Sequence, residues 1–250
     1  MSEPSPQPDF YVGYLPVPAG LRRFLRIFVP AILWLLLAAA FFAARSQPDP
    51  GPAVWDDGKP RTLSGIISAR PYPALYTSLT PQDPPCWVLL VEPGKHSTTR
   101  ATPFDGQHAR LSGWILHRDN RAIVELDPSP IQPDPASSTP PPAAPRPLGR
   151  VTLRGEIVDS KCYLGAMKPG DGKTHKECAT LCISGGIPPV FVTRTAQGDA
   201  TYYLLISPTG DPLDPACYPY IGEPVEVRGD LDNHAGLLRL RLAPSDIRRL

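Results

Sequence analysis

The sequence lacks a surplus of charge of either sign, and it lacks a composition suited to long helices. Lysine and arginine number 25 against 24 aspartate and glutamate, so the formal net charge is +1 over 250 residues. A nucleic-acid backbone is held by a basic surface, and a DNA- or RNA-binding role is therefore not expected. The 35 prolines and 20 glycines interrupt helices, which excludes a helical bundle.

Enzyme signatures are missing as well. The chain contains no G-x-S-x-G, no H-E-x-x-H and no C-x-x-C-H motif, which excludes the hydrolase, zinc-protease and c-type haem classes that carry them. Gly172-Lys173-Thr174 imitates the end of a phosphate-binding loop, but Met167 stands where that loop needs its first glycine. We therefore expect a binding protein rather than an enzyme.

One long apolar run lies near the N-terminus. Residues 27–44 carry no charge, and at about 1.5 Å per residue they nearly cross a hydrocarbon core, which predicts a transmembrane helix over 27–45. Three arginines precede the run and one follows it. Positive residues stay on the cytoplasmic side. Residues 1–26 are therefore predicted to be cytoplasmic and the residues after the helix periplasmic, with a single pass through a bacterial inner membrane.

A cleaved signal peptide is the alternative for this run, because alanines 38–40 offer small residues near its end. The polar lead of 26 residues is long for a signal peptide, and the apolar run exceeds the usual signal core of about 7–15 residues. These lengths favour a retained anchor.

Two later segments read as copies of one unit. Residues 60–126 and 150–250 align through Gly65 with Gly155 and through Gly113 with Gly229. Alternating apolar residues with glycines inside the strands are typical of small curved barrels. We predict a mainly β protein with two OB-like antiparallel β-barrels, joined by a proline-rich linker over 127–149 and preceded by a spacer over 46–59.

The second copy differs by an insertion at 159–187 that holds most of the cysteines. Thr174 and Glu177 form a capping-box pattern, which predicts a helix from 174 to 186. His175, Cys178 and Cys182 then share one helix face at i, i+3 and i+7, and Cys162 could complete the set. Three thiolates and an imidazole suit Zn(II) or Cu(I), and for copper Met167 could add a thioether ligand.

Two other interpretations of these cysteines stay open. Outside the cytoplasm thiols oxidise, so a disulfide framework could join Cys162 to Cys178 or Cys182, with Cys217 as a further candidate. Alternatively, Cys178 could be a redox thiol stabilised by the neighbouring lysines 173 and 176. Lysines 161, 168, 173 and 176 are together expected to form an exposed, mildly positive rim, and Cys86 is expected to be a buried apolar residue.

Three short motifs carry a resemblance. The run G-E-I-V-D-S-K-C-Y at 155–163 is followed by H-K-E-C-A-T-L-C at 175–182 and by G-I-P at 186–188. Together they resemble an OB-like module of uncharacterised bacterial proteins that are exported or membrane-anchored, over about residues 150–245. That module has no assigned activity, so no catalytic residue is carried over.

The architecture is also similar to assembly factors of membrane redox complexes. A single anchor before an external OB-like barrel is similar to the haem chaperone of cytochrome c maturation, although the His-x-x-x-Tyr of that family is missing here. Copper chaperones of cytochrome oxidase share the C-x3-C spacing with a histidine, on a different fold. We expect an accessory or assembly protein with a binding role and an inner-membrane partner. The alternative is metal handling or thiol redox chemistry at the cysteine cluster.

Overall fold

The first of two compact units is a single apolar helix. The computed structural model describes residues 16–46 and 53–250, and the chain divides into units at residues 49 and 50. Helix α1 (Ala19–Ser46) has no buried residue, and its most apolar 18-residue window has a mean hydropathy of 2.5. Such a helix can cross a membrane. Residues 1–15 of the predicted cytoplasmic segment and 47–52 of the predicted spacer lie outside the described residues, and the membrane and the orientation stay predictions.

The second unit begins with a closed five-stranded barrel. Its strands are β1 (Ala53–Ser68), β2 (Ala74–Thr77), β3 (Cys86–Val91), β4 (His108–Arg118) and β5 (Arg121–Leu126). They follow the order β1-β2-β3-β5-β4, and β4 pairs with β1 to close the ring. A short strand, β6 (Gln132–Pro133), adds to β4 from within the proline-rich stretch.

The second barrel repeats this connectivity. It contains β7 (Arg146–Asp159), helix α2 (Lys176–Ser184), β8 (Pro189–Arg194), β9 (Ala200–Ile206), β10 (Pro224–His234), β11 (Leu237–Arg241) and β12 (Ile247–Arg249). The ring order is β7-β8-β9-β11-β10, closed by β10 on β7, and β12 extends the sheet beside β10. The predicted mainly β fold with two barrels, the second bearing a short Cys/His helix, is confirmed.

Each barrel closes through one parallel pair, a detail that the antiparallel prediction leaves out. β3 runs parallel to β5, and β9 to β11, whereas the other neighbours in each ring are antiparallel. Five is an odd number, so five strands cannot alternate direction all the way round a closed ring. One parallel pair is the geometric consequence.

The glycines aligned in the sequence occupy matching places in the two barrels. A Cβ on Gly65 or Gly155 would lie 2.2 or 2.1 Å from a carbonyl oxygen of the next strand, and one on Gly113 or Gly229 would lie 2.3 or 2.4 Å from such an oxygen. Only glycine permits this close approach of backbones where a small barrel coils strongly. The match supports an internal duplication, which remains a hypothesis.

Three apolar cores stabilise the second unit. One fills the first barrel, one fills the second barrel, and a third lies between the barrels. The third core packs Trp87 and Leu89 of the first barrel with Val190, Tyr202 and Leu204 of the second. The barrels are therefore docked through buried apolar surface, a contact that the sequence does not predict.

The insertion in the second barrel contributes to this contact. After β7 the chain makes one turn of π-helix over Cys162–Ala166, and a Cβ on Gly165 would lie 2.6 Å from the carbonyl oxygen of Val54 in the first barrel. The predicted helix at 174–186 is α2, but its N-cap is His175 and the predicted Thr174–Glu177 capping box is wrong. The helix starts later than predicted, after a turn in which the backbone N–H groups of His175 and Lys176 donate to the carbonyl oxygens of Gly172 and Lys173.

Candidate metal centre

Three cysteine sulfurs converge where the insertion meets the first barrel. Cys162 lies in the π-helical turn, and Cys178 and Cys182 lie one turn apart on α2. Their Sγ atoms all lie within 4.8 Å of one another. Cys162 and Cys182 are 6% and 1% exposed, and Cys178 is half-buried. The cluster thus has a buried base and one sulfur near the surface.

A lysine from the first barrel contacts this cluster. Lys95 follows β3, and its Nζ lies 2.7 Å from Cys178 Sγ and 3.7 Å from Cys182 Sγ. The contact with Cys178 raises the pKa of Lys95. An ammonium beside a sulfur favours the thiolate, which is the form that binds metals and attacks disulfides.

The loop that carries Lys95 is held by contacts with the insertion. Lys161 donates from Nζ to the carbonyl oxygens of Glu92 and Gly94, at 2.8 Å each, and pairs with Glu125 at 2.5 Å. Both partners of that ion pair are at most 7% exposed. Lys161 is therefore a buried anchor between the barrels, and its expected place on an exposed rim is wrong because its charge is satisfied inside.

A second anchor lies at the end of α2. The backbone N–H of Ser97 donates to the carbonyl oxygen of Gly185 at 3.0 Å, and a Cβ on Gly185 would lie 1.9 Å from the carbonyl oxygen of Lys95. Glycine at this position lets the loop approach α2 closely enough for Lys95 to reach the sulfurs.

His175 lies on the other side of Cys162, paired with an aspartate. Its Nε2 lies 3.1 Å from Asp159 Oδ2, and Asp159 Oδ1 accepts the backbone N–H of Cys162 at 2.7 Å. Asp159, Cys162 and His175 are all buried, and their ligand atoms also lie within 4.8 Å of one another. Cys162 is thus shared by two groups, a three-sulfur group and a mixed group with His175.

The thiols of Cys162 and Cys182 differ in pKa. The hydrogen bond from Cys162, helped by the charge of Lys95, lowers the pKa of Cys182 to about 7. The same hydrogen bond and burial raise the pKa of Cys162. The thiolate form is therefore favoured at Cys182 over Cys162.

The remaining predicted residues lie elsewhere. Met167 is 45% exposed at the end of the π-helical turn, and Cys217 is fully buried in the core of the second barrel. Lys176 and Lys173 pair with Glu223, at 2.7 and 3.7 Å, so the cation that contacts the thiols is Lys95. All five cysteines are free, and Cys86 is half-buried in the first barrel, where burial raises its pKa.

Sequence reasoning missed Lys95, Asp159 and Lys161. Asp159 and Lys161 lie within the quoted run at 155–163, so their position beside Cys162 was an available signal. No sequence signal points to Lys95, because 83 residues separate it from Cys178.

Comparisons with known proteins give no relative for this arrangement. The chain matches no protein-family model, no curated protein and no solved structure. What the site can do therefore follows from its own donor atoms: three convergent sulfurs can hold a soft metal ion, or exchange electrons as thiols and disulfides.

Proposed function

We propose that this chain is a membrane-anchored accessory protein that binds a soft metal ion, Cu(I) or Zn(II), through Cys162, Cys178 and Cys182. The observation that carries the proposal is the approach of three Sγ atoms within 4.8 Å of one another. Thiolates select these ions over hard cations. The lowered pKa of Cys182 favours the thiolate form of this ligand near neutral pH.

The exposure of the cluster supports reversible loading. Cys178 is half-buried and Lys95 is exposed, whereas Cys162 and Cys182 lie beneath them. An ion can therefore arrive from solvent at Cys178 and be held by the deeper sulfurs. His175 and Asp159, behind Cys162, orient the backbone of that ligand, as outer partners do in metal sites.

The test is metal binding by the full chain in mild detergent under reducing, oxygen-free conditions. We expect one Cu(I) or Zn(II) per chain, and a loss of affinity of more than about 100-fold, beyond the range of outer-shell changes, in Cys178→Ser. Cys86→Ser is the matched control, because Cys86 is also half-buried but lies in the first barrel. A folded wild type that binds neither ion would refute the proposal.

The proposed location is a bacterial inner membrane, with the barrels in the periplasm and a membrane redox complex as partner. The apolar helix α1, with a mean hydropathy of 2.5 in its best window, supports the anchor. Affinity purification in mild detergent should recover a membrane protein together with the chain. Recovery of the monomer alone would contradict the proposed partner. Labelling of the Cys178 thiol by a reagent that cannot cross the inner membrane tests the location, and labelling only after that membrane is disrupted would contradict the periplasmic side.

Thiol–disulfide exchange is the second candidate, and the lowered pKa of Cys182 favours it. Cys182 and a neighbouring thiol would form a disulfide by passing two electrons and two protons to an oxidised dithiol partner. Alkylation and intact mass of the metal-free chain, equilibrated with glutathione buffers, would detect a reversible loss of two thiols. A disulfide that no glutathione buffer reduces would instead indicate a structural bond, with Cys162 bonded to Cys178 or Cys182.

A further inference from the structure

The cysteine cluster is completed by the other barrel. All three sulfurs belong to the second barrel, whereas the ammonium 2.7 Å from Cys178 Sγ belongs to the first. Two anchors keep the loop of Lys95 in place: Lys161 binds the carbonyl oxygens of Glu92 and Gly94, and Ser97 binds Gly185. Although Lys95 is exposed, its backbone is fixed beside the thiols.

The donor set provides three ligands rather than four. Cys162, Cys178 and Cys182 form one group, and His175 is grouped with Asp159 and Cys162 instead. Zn(II) in closed sites takes four ligands in a tetrahedron. Among residues 16–46 and 53–250, no fourth ligand is grouped with the three sulfurs, and such a set suits Cu(I), a soft ion that accepts lower coordination.

The charge of Lys95 also favours Cu(I) over Zn(II). A lysine ammonium is charged at neutral pH, and its repulsion of a metal ion at the sulfurs scales with the ion's charge. A divalent ion is repelled twice as strongly as a monovalent ion at the same place. We infer that Lys95 is a specificity-determining residue that makes the three-sulfur site prefer monovalent Cu(I) over divalent Zn(II); this inference rests on the proposed function.

The expected effect follows from one unit of charge. At exposed ion pairs one charge contact changes a binding constant by up to about fivefold, and partial burial of the sulfurs strengthens it. Removing the charge of Lys95 should therefore move the ratio of Zn(II) to Cu(I) affinity toward Zn(II) by about five- to tenfold.

The test compares Lys95→Gln, which removes the charge, with Lys95→Arg, which keeps it. Cu(I) and Zn(II) affinities of the full chain are measured in detergent by competition with a chromogenic chelator for each ion. Lys59→Gln, at an exposed position in β1, is the remote control. We expect the shift in Lys95→Gln alone, with the wild-type ratio in Lys95→Arg and in Lys59→Gln.

Two results would overturn the inference while the proposed function stands. One is an unchanged affinity ratio in Lys95→Gln, and the other is an equal shift in Lys95→Arg, which would assign the effect to shape rather than charge. Failure of the wild type to bind either ion would instead overturn the proposed function, and the inference with it. Because Lys95 is exposed, we expect these variants to fold like the wild type. Their melting curves check this directly.

Discussion

Replacement of Lys161 by methionine should destabilise the docked barrels. The change keeps an unbranched apolar stem but leaves Glu125, 5% exposed, as a buried charge without its partner. It also removes the donor that binds the carbonyl oxygens of Glu92 and Gly94. Breaking a buried ion pair from one side costs about 3–5 kcal/mol. With a urea slope of about 2–3 kcal/mol/M, the unfolding midpoint should fall by about 1–2.5 M.

Urea denaturation of the full chain in mild detergent, followed by tryptophan fluorescence, measures this loss. The double variant Lys161→Met with Glu125→Leu is the control, because removal of both charges abolishes the desolvation cost and should recover about 2 kcal/mol or more. A single variant within about 1 kcal/mol of wild type, or a double variant as unstable as the single one, would refute the assignment of Lys161 as a buried anchor.

Three further predictions concern the barrels and the thiols. Gly65→Ala and Gly155→Ala should each lower the free energy of unfolding by about 1–3 kcal/mol, because a Cβ would lie 2.2 or 2.1 Å from a carbonyl oxygen. Gly20→Ala is the control, because a Cβ there would have nothing within 4 Å. Equal stability of all three variants would contradict the close approach of the backbones. Burial raises the pKa of Glu156, so its charged form is disfavoured in the fold, and Glu156→Gln should raise the melting temperature at pH 7 and lose that gain below the ordinary glutamate pKa of about 4.3. Because the pKa of Cys182 is lowered to about 7, ultraviolet thiolate absorbance should show a thiol that titrates near pH 7 in wild type and not in Cys182→Ser; the same curve in both proteins would contradict the assignment.

The barrels could be predicted from the sequence because their signals are local. Alternating apolar residues mark the strands, and the paired glycines at 65 and 155 mark the places where neighbouring backbones meet. The helix of the insertion was predictable for the same reason, since Gly185 and Gly186 end it. These features depend on residues that are close in sequence or repeat at fixed spacing.

The site was predictable only in part, because its decisive contacts join distant segments. Cys178 and Cys182 belong together by helix spacing, but Lys95 reaches them only after the two barrels dock. His175 has the helix spacing of a ligand on that face, yet the buried carboxylate of Asp159 binds its ring. The sequence around Lys161 is typical of a surface lysine, because its partner Glu125 belongs to the other barrel and is distant in the chain.

The contact between the barrels is asymmetric, because the two barrels contribute different surfaces to it. The π-helical turn of the second barrel packs on the first, with Gly165 against Val54, while the first barrel has no such turn between β1 and β2. A head-to-tail contact between identical units continues into a filament unless it closes into a ring. Here the two barrels are unequal, because only the second carries the π-helical turn, so the first barrel cannot offer this same contact to another unit.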